Sequence, residues 1–311
     1  MTHPLMFEKS HEDGSLGALK MLVSDIFTWE IMYQISQLAI RVAFAKYSDI
    51  IVKKKAANDD AKTALIEQGP SYAVSFVHSM YVTARGMVHL YSLWSASNID
   101  KIVIAPEGIY RAAHLEVART NILFVAYLFY DMIHILHQYP VLGGGDTMLH
   151  HMLFIFCSVI NGTYGIMPYQ FGWLIFGELS TIFLNWRWFL LKSGRDSGML
   201  LENINSMFAA AFFLCRVCIY TAGVVHLFLF SLPELKSLAS EKIGVPIPAL
   251  VITCGCVVIG WLLNIFWGWK ILSKLNRPRP KVVAAEEDIA EDYNTKKTKR
   301  SGKKNRRTKR D

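Results

Sequence analysis

Long hydrophobic runs, separated by short polar segments, recur along most of the chain. A helix needs about 20 mostly apolar residues to cross the hydrocarbon core of a membrane. The runs therefore predict about seven membrane-spanning helices. Their approximate limits are 25–46, 72–95, 119–138, 147–166, 170–191, 203–231 and 248–273.

The first run is the weakest, because Asp25, Glu30 and Arg41 interrupt it, so six spans are the alternative. The third and fourth spans are joined by the short connection YPVLGGGD, and the fourth and fifth by only a few residues around Pro168. Short connections place neighbouring helices side by side and antiparallel. The predicted fold is thus all-α, a polytopic transmembrane helical bundle.

The same pattern predicts four regions along the chain. A polar N-terminal segment, residues 1–24, precedes the first membrane helix and a basic loop, residues 25–69. Residues 70–275 form the predicted transmembrane domain. Residues 276–311 form a tail, first acidic and then basic, whose low complexity predicts disorder.

Charge is concentrated at the C-terminus. The last 16 residues carry ten Lys or Arg and one Asp, a net charge of +9, so the total of +8 leaves −1 for the remainder. Positive charge marks cytoplasmic segments, and the loop with Lys53, Lys54 and Lys55 agrees with the tail, which predicts a cytoplasmic C-terminus. Membrane lipids are the expected partners, with anionic headgroups as the ligands of the tail. Nucleic acid is not expected, because the tail lacks interleaved aromatic residues.

Polar and ionisable residues lie inside the predicted spans. Such residues are costly in lipid, so they face the bundle interior and mark candidate functional sites. Helical spacing places Tyr127, Asp131 and His134 on one face of the third span. Because five consecutive spans contribute ionisable residues, a shared polar cavity is predicted. Its candidate lining residues are His78, His134, Asn185, Arg187 and Arg216.

The cavity also holds residues suited to chemistry, since a histidine beside a carboxylate can act as a general base or nucleophile. The candidate catalytic residues are His150, His151, Asp131 and Glu178. Adjacent histidines point about 100° apart on a helix, so His150 and His151 cannot easily bind one metal ion. With no HExxH motif in the chain, neither a metal site nor a cofactor is predicted.

Seven short motifs occur in a fixed order between about residues 70 and 275. They are SFVHSM, FYDMIH, GGGDTMLHH, NGTYGIMPY, GELSTIFLNWRWFL, FFLCRV and NIFWGWKIL. In this order they resemble the TLC-domain family, which is related to ceramide synthases, a translocon-associated protein and an endoplasmic reticulum cargo receptor. The subgroup they resemble is the type-4 TLC-domain-containing proteins.

The resemblance implies a helical bundle in the endoplasmic reticulum membrane that takes part in lipid handling and lipid homeostasis. The alternative is an acyl-CoA-dependent N-acyltransferase, with acyl-CoA as co-substrate, because the paired histidines of ceramide synthases map onto His150 and His151. A second alternative is a cargo receptor or translocation factor, and a homodimer is a further expectation. Where the synthases carry an Asp pair, this chain has Glu178 and Thr181, which weighs against synthase activity.

Overall fold

The computed structural model describes residues 11–51, 58–104, 107–195, 197–233 and 246–275. Within these ranges the regular structure is helical, apart from a single antiparallel bridge between Val103 and Ile166. The prediction of an all-α fold is therefore confirmed. The start of the predicted N-terminal segment, Lys53 to Lys55 in the basic loop, and the predicted lipid-binding tail lie outside the described residues.

Eleven α-helices are labelled here in chain order among the described residues. They are α1 (His11–Ile51), α2 (Asn58–Glu67), α3 (Gly69–Leu93), α4 (Asn98–Ile102), α5 (Arg111–His137), α6 (Gly145–Tyr164), α7 (Pro168–Phe176), α8 (Leu179–Lys192), α9 (Met199–Phe212), α10 (Tyr220–His226) and α11 (Ile247–Leu275). Two π-helical stretches, Phe213–Ile219 and Leu227–Ser231, continue α9 and α10. Residues up to Gly268 form one compact unit, and the described part of a second unit is the end of α11 from Trp269.

Three helices are long and apolar enough to cross a membrane. They are Arg111–His137, Met199–Ser231 and Ile247–Ser273, and they coincide with the third, sixth and seventh predicted spans. The chain therefore has the helices of a membrane protein. The count of seven spans stays a prediction, because the remaining helices do not meet the same criteria of length and composition.

The fifth predicted span differs from the expectation of one continuous helix. It consists of α7 and α8, separated by a turn at Gly177 and Glu178. The amide groups of Gly177 and Glu178 donate to carbonyls three residues earlier, at 3.1 Å each, instead of four. The turn is stable inside the bundle because the carbonyl of Gly177 accepts from Arg216 Nε at 3.1 Å and from Ser180 Oγ at 3.2 Å. Nothing in the hydrophobic pattern predicts this interruption.

The helices α3 and α7 are in close contact at Gly86. A Cβ atom at this position would lie 2.9 Å from the carbonyl oxygen of Gly172 and 2.9 Å from the amide nitrogen of Phe176. Gly223 plays the same part in α10, where a Cβ would lie 2.5 Å from the ring of Trp173. Glycine at these two contacts lets α7 sit at the centre of the bundle, beside α3 and α10.

The helices α5 and α6 form an antiparallel pair with two distinct ends. At one end, here called the turn end, the connection after His137 joins them directly. At the other, here called the bridge end, the residues before α5 meet those after α6: Met167 N donates to the Ile102 carbonyl at 2.5 Å, and Ile104 N to the Gly165 carbonyl at 2.8 Å. The loops before α5 and after α6 therefore lie on the same side of the bundle.

Candidate functional site

An ion pair between α5 and α6 lies near the turn end. The carboxylate Oδ2 of Asp131 is 2.8 Å from Nε2 of His151, and both side chains are largely buried, with 14% and 11% of their surface exposed. The other ring nitrogen of His151, Nδ1, is 3.0 Å from the carbonyl oxygen of Thr147. The pair thus spans the two helices, and the turn of α6 that precedes His151 orients the ring.

The protons of this pair can be placed by hydrogen-bonding rules. A carbonyl oxygen only accepts, so Nδ1 of His151 carries a hydrogen and donates to Thr147. The contact between Nε2 and Asp131 then needs one further proton, held by either the ring or the carboxyl group. In both cases the two nitrogens of His151 are committed. His151 therefore has no free lone pair for attack on a substrate.

A second ion pair joins Glu178, at the break between α7 and α8, to Arg216 in the first π-helical stretch. Arg216 Nη2 donates to Glu178 Oε1 at 2.8 Å and to Thr181 Oγ1 at 3.0 Å. Thr181 in turn donates to Glu178 Oε2 at 2.7 Å. Arg216 Nε donates to Ser180 Oγ at 2.9 Å as well as to the Gly177 carbonyl. Such extra hydrogen bonds are what a buried ion pair needs to offset the loss of hydration.

His78 of α3 packs against aromatic residues of α1 and α5, near both ion pairs. Its ring stacks on Tyr127, with centroids 3.5 Å apart and planes 10° apart, and packs edge-on against Trp29 at 5.4 Å. Glu178 interacts electrostatically with both His78 and His151, so the two pairs and His78 form one group. We call His78, Asp131, His151, Glu178 and Arg216 the ionisable cluster. It unites three predicted catalytic residues with two predicted lining residues.

One atom of the ionisable cluster is left open. The side chain of His78 is 2% exposed, and no donor or acceptor among the described residues reaches its Nδ1. Buried polar atoms are nearly always hydrogen-bonded, so an unpaired imidazole nitrogen beside two ion pairs is unusual.

Three predicted lining residues make other contacts. His134 pairs with Glu30 of α1, with Nε2 2.9 Å from Oε2. Asn185 Nδ2 donates to Ser75 Oγ at 3.0 Å. Arg187 Nε donates to Asn205 Oδ1 at 2.7 Å and thereby joins α8 to α9.

His150 differs from its neighbour His151. Its half-buried ring lies 4.5 Å from the ring of Phe154, 5.4 Å from that of Trp267 and 5.8 Å from that of His151. No described residue forms a hydrogen bond with the His150 ring. Its nitrogens therefore stay available, whereas those of His151 are committed.

Sequence reasoning missed several partners of the predicted site residues. Glu30 was read as an interruption of the first span, yet it is the acid that pairs with His134. Ser180 and the Gly177 carbonyl, which bind Arg216, have no signal in the sequence because they depend on the helix break. Within the described part of the chain, no group of three or more His, Cys, Asp or Glu residues could hold a metal ion.

These features define a helical membrane protein with ion pairs buried in its bundle. The family model of the TLC domain matches residues 70–273, which is more than half of the chain. The chain belongs to the TLC-domain family, as its motif order predicts.

Two relatives show the subgroup. TLC domain-containing protein 4-B of Danio rerio is 32% identical over 209 residues, covering 65% of this chain and 71% of the relative. TLC domain-containing protein 4 of Xenopus tropicalis is 27% identical over 223 residues, covering 70% and 77%. The predicted resemblance to the type-4 subgroup is therefore confirmed. No solved structure matches the chain.

Proposed function

We propose that this protein binds a polar lipid headgroup at the ionisable cluster and thereby takes part in membrane lipid handling. The observation that carries the proposal is the open Nδ1 of His78, in a residue that interacts electrostatically with Glu178 of one satisfied ion pair and His151 of the other. Charged groups in membrane helices are costly and face a wet or polar interior, which supports a polar cavity at this point. Asp131 and Glu178 are already paired with His151 and Arg216. The cluster can therefore bind a headgroup without leaving either charge uncompensated.

The experiment compares lipid profiles of cells that lack the protein and are rescued with variants. His78→Phe keeps an aromatic ring against Tyr127 and removes both ring nitrogens. His137→Phe makes the same change at an exposed site of α5 and serves as the control. We expect the natural chain and His137→Phe to restore the profile, and His78→Phe to fail at equal abundance. Full rescue by His78→Phe would contradict the proposal.

Acyl transfer is a second candidate, and the open nitrogens of His150 favour it. In that reaction an amine attacks the thioester carbonyl of acyl-CoA, the carbon–sulfur bond breaks, and the proton lost by the amine passes through His150 to the leaving thiolate. Purified protein with acyl-CoA and a long-chain amine should then lose turnover in His150→Ala. The absence of turnover in the natural chain rules this candidate out.

We also propose seven spans in the endoplasmic reticulum membrane, with the C-terminal tail in the cytoplasm. Support for α1 as a span comes from its two faces. Trp29 and Tyr33 are buried against the bundle, and the interrupting Glu30 pairs with His134. The opposite face is an unbroken exposed apolar stripe, made by Leu19, Val23, Phe27, Ile31, Ile35, Leu38 and Val42. Such a face suits contact with lipid tails.

A further inference from the structure

A small cleft lies at the bridge end of the α5–α6 pair, on the far side from the Asp131–His151 pair. Its cavity volume is about 10 Å³, and α5, α6 and α7 contribute its walls. Apolar groups such as Val117, Ile166 and Phe171 make most of the surface. A space of this size accepts one water molecule or one hydroxyl group.

Two amide side chains supply the polar part of the cleft. Asn121 and Asn161 are each 5% exposed, and no donor among the described residues reaches either Oδ1 atom. The orientation of Asn121 is set by its partner, because Nδ2 donates to the carbonyl of Ser158 at 2.8 Å and a carbonyl only accepts. Asn161 Nδ2 contacts Cys157 Sγ at 3.7 Å. Both amide oxygens are therefore unpaired acceptors, and both residues line the cleft.

The cleft is partly open to the outside of the bundle. The half-buried residues Ala118 and Gly162 stand at this opening and are too small to close it. One helical turn before each of them, Leu115 and Val159 are exposed. An exposed apolar surface around the mouth fits contact with the tails of lipids in the membrane.

The chemistry of the cleft selects its ligand. Two acceptors without a charged group favour a neutral donor, and they reject phosphates and carboxylates, which would bring further acceptors. The apolar surroundings favour a ligand whose remaining body is hydrocarbon. We propose that this cleft binds the hydroxyl group of a neutral membrane lipid, a long-chain alcohol or a sterol. The site is separate from the ionisable cluster and does not depend on the function proposed for it.

The test uses the full chain reconstituted in phosphatidylcholine vesicles. The probes are octadecanol and a sterol, each with a photoreactive diazirine near the hydroxyl, and the methyl ether of each. The ethers keep the hydrocarbon body, but a methyl group replaces the donor hydrogen of the hydroxyl. We expect each ether to label α5 and α6 around Asn121 and Asn161 about tenfold less than the alcohol that binds, a ratio of the size produced by one lost hydrogen bond.

Variants locate the labelling. Gly162→Leu fills the mouth and should abolish labelling, whereas Thr163→Leu adds the same side chain at the exposed neighbouring position and should leave it unchanged. Labelling by the alcohol alone, by the sterol alone or by both supports the proposal and identifies the hydrocarbon body. Equal labelling by alcohol and ether overturns it, and so does the absence of labelling at the cleft, which would mean that the cleft takes water only. The alcohol–ether comparison needs no variant, so it remains valid even if Gly162→Leu misfolds.

Discussion

The two ends of the α5–α6 pair bury different kinds of polar groups. Near the turn end, Asp131 and His151 carry ionisable groups, and each satisfies the other across the helices. At the bridge end, Asn121 and Asn161 are neutral, and each keeps an open acceptor. A buried charge without a partner costs several kcal/mol, whereas an unpaired amide oxygen costs about 1–3 kcal/mol. In both regions the atoms left open, Oδ1 of Asn121 and Asn161 and Nδ1 of His78, belong to groups that can stay neutral, which keeps the cost moderate.

The largest effect is expected from removing one partner of the ion pair. Asp131→Leu leaves His151 Nε2 without its carboxylate and should lower the free energy of unfolding by about 3–5 kcal/mol. Thermal unfolding in detergent measures this change.

The double variant Asp131→Leu with His151→Leu is the control for that experiment. It removes both partners and should recover most of the loss, because two apolar side chains replace a matched pair. A double variant as unstable as the single one would show that the pair does not act as a unit.

The next effect concerns the hydroxyl group of Thr181. Thr181→Val keeps the shape of the side chain but removes hydrogen bonds to both Glu178 and Arg216. Since these partners are charged, we expect a loss of about 1.5–3 kcal/mol in the free energy of unfolding. Thr163→Val makes the same substitution at an exposed site and should change it by less than about 0.5 kcal/mol. Equal losses in the two variants would mean that Thr181 does not support the ion pair.

Gly86→Ala should disturb the bridge end of the α5–α6 pair, because it moves α7. The added Cβ would meet the backbone of α7 at 2.9 Å, so the helix has to shift, at a cost of about 1–3 kcal/mol. Because α7 carries Phe171, a wall of the cleft, lipid labelling at the bridge end should fall, while thermal unfolding reports the lost stability. Gly255→Ala is the control, since a Cβ there meets no atom within 4 Å. Unchanged stability and labelling in Gly86→Ala would contradict the close contact.

The smallest effect concerns Asn161-Gly162-Thr163, which has the sequence of an N-glycosylation site. We expect this site to carry no glycan. Asn161 is buried within α6, so glycosidase treatment of the protein from cells should not alter its mobility on a gel. The double variant Glu107→Asn with Ile109→Thr places the same tripeptide in an exposed loop before α5. If the bridge end is lumenal, as seven spans imply, this variant should carry a glycan. A glycan on Asn161 would contradict its burial, and none on the double variant would contradict the proposed orientation.

The candidate site was predictable in part because charge in an apolar run is conspicuous. Asp131, His151, Glu178 and Arg216 all stand out in hydrophobic segments, and the structure brings them into one group with His78. The choice of partners was not predictable, because Arg216 pairs with Glu178 through the helix break at Gly177, which the sequence does not indicate. His134 shared a face with Asp131 by spacing, yet the approach of α1 gives it Glu30.

Local information was sufficient for the features that depend on short-range pattern. Hydrophobic runs of membrane length define an all-helical membrane protein, and the ordered motifs define its family, because both are properties of neighbouring residues. Tertiary packing alone decided the pairing of the ion pairs, the turn between α7 and α8, and the open acceptors of Asn121 and Asn161. These depend on which helix faces which, and close contacts such as that of Gly86 with α7 set that arrangement across distant parts of the chain.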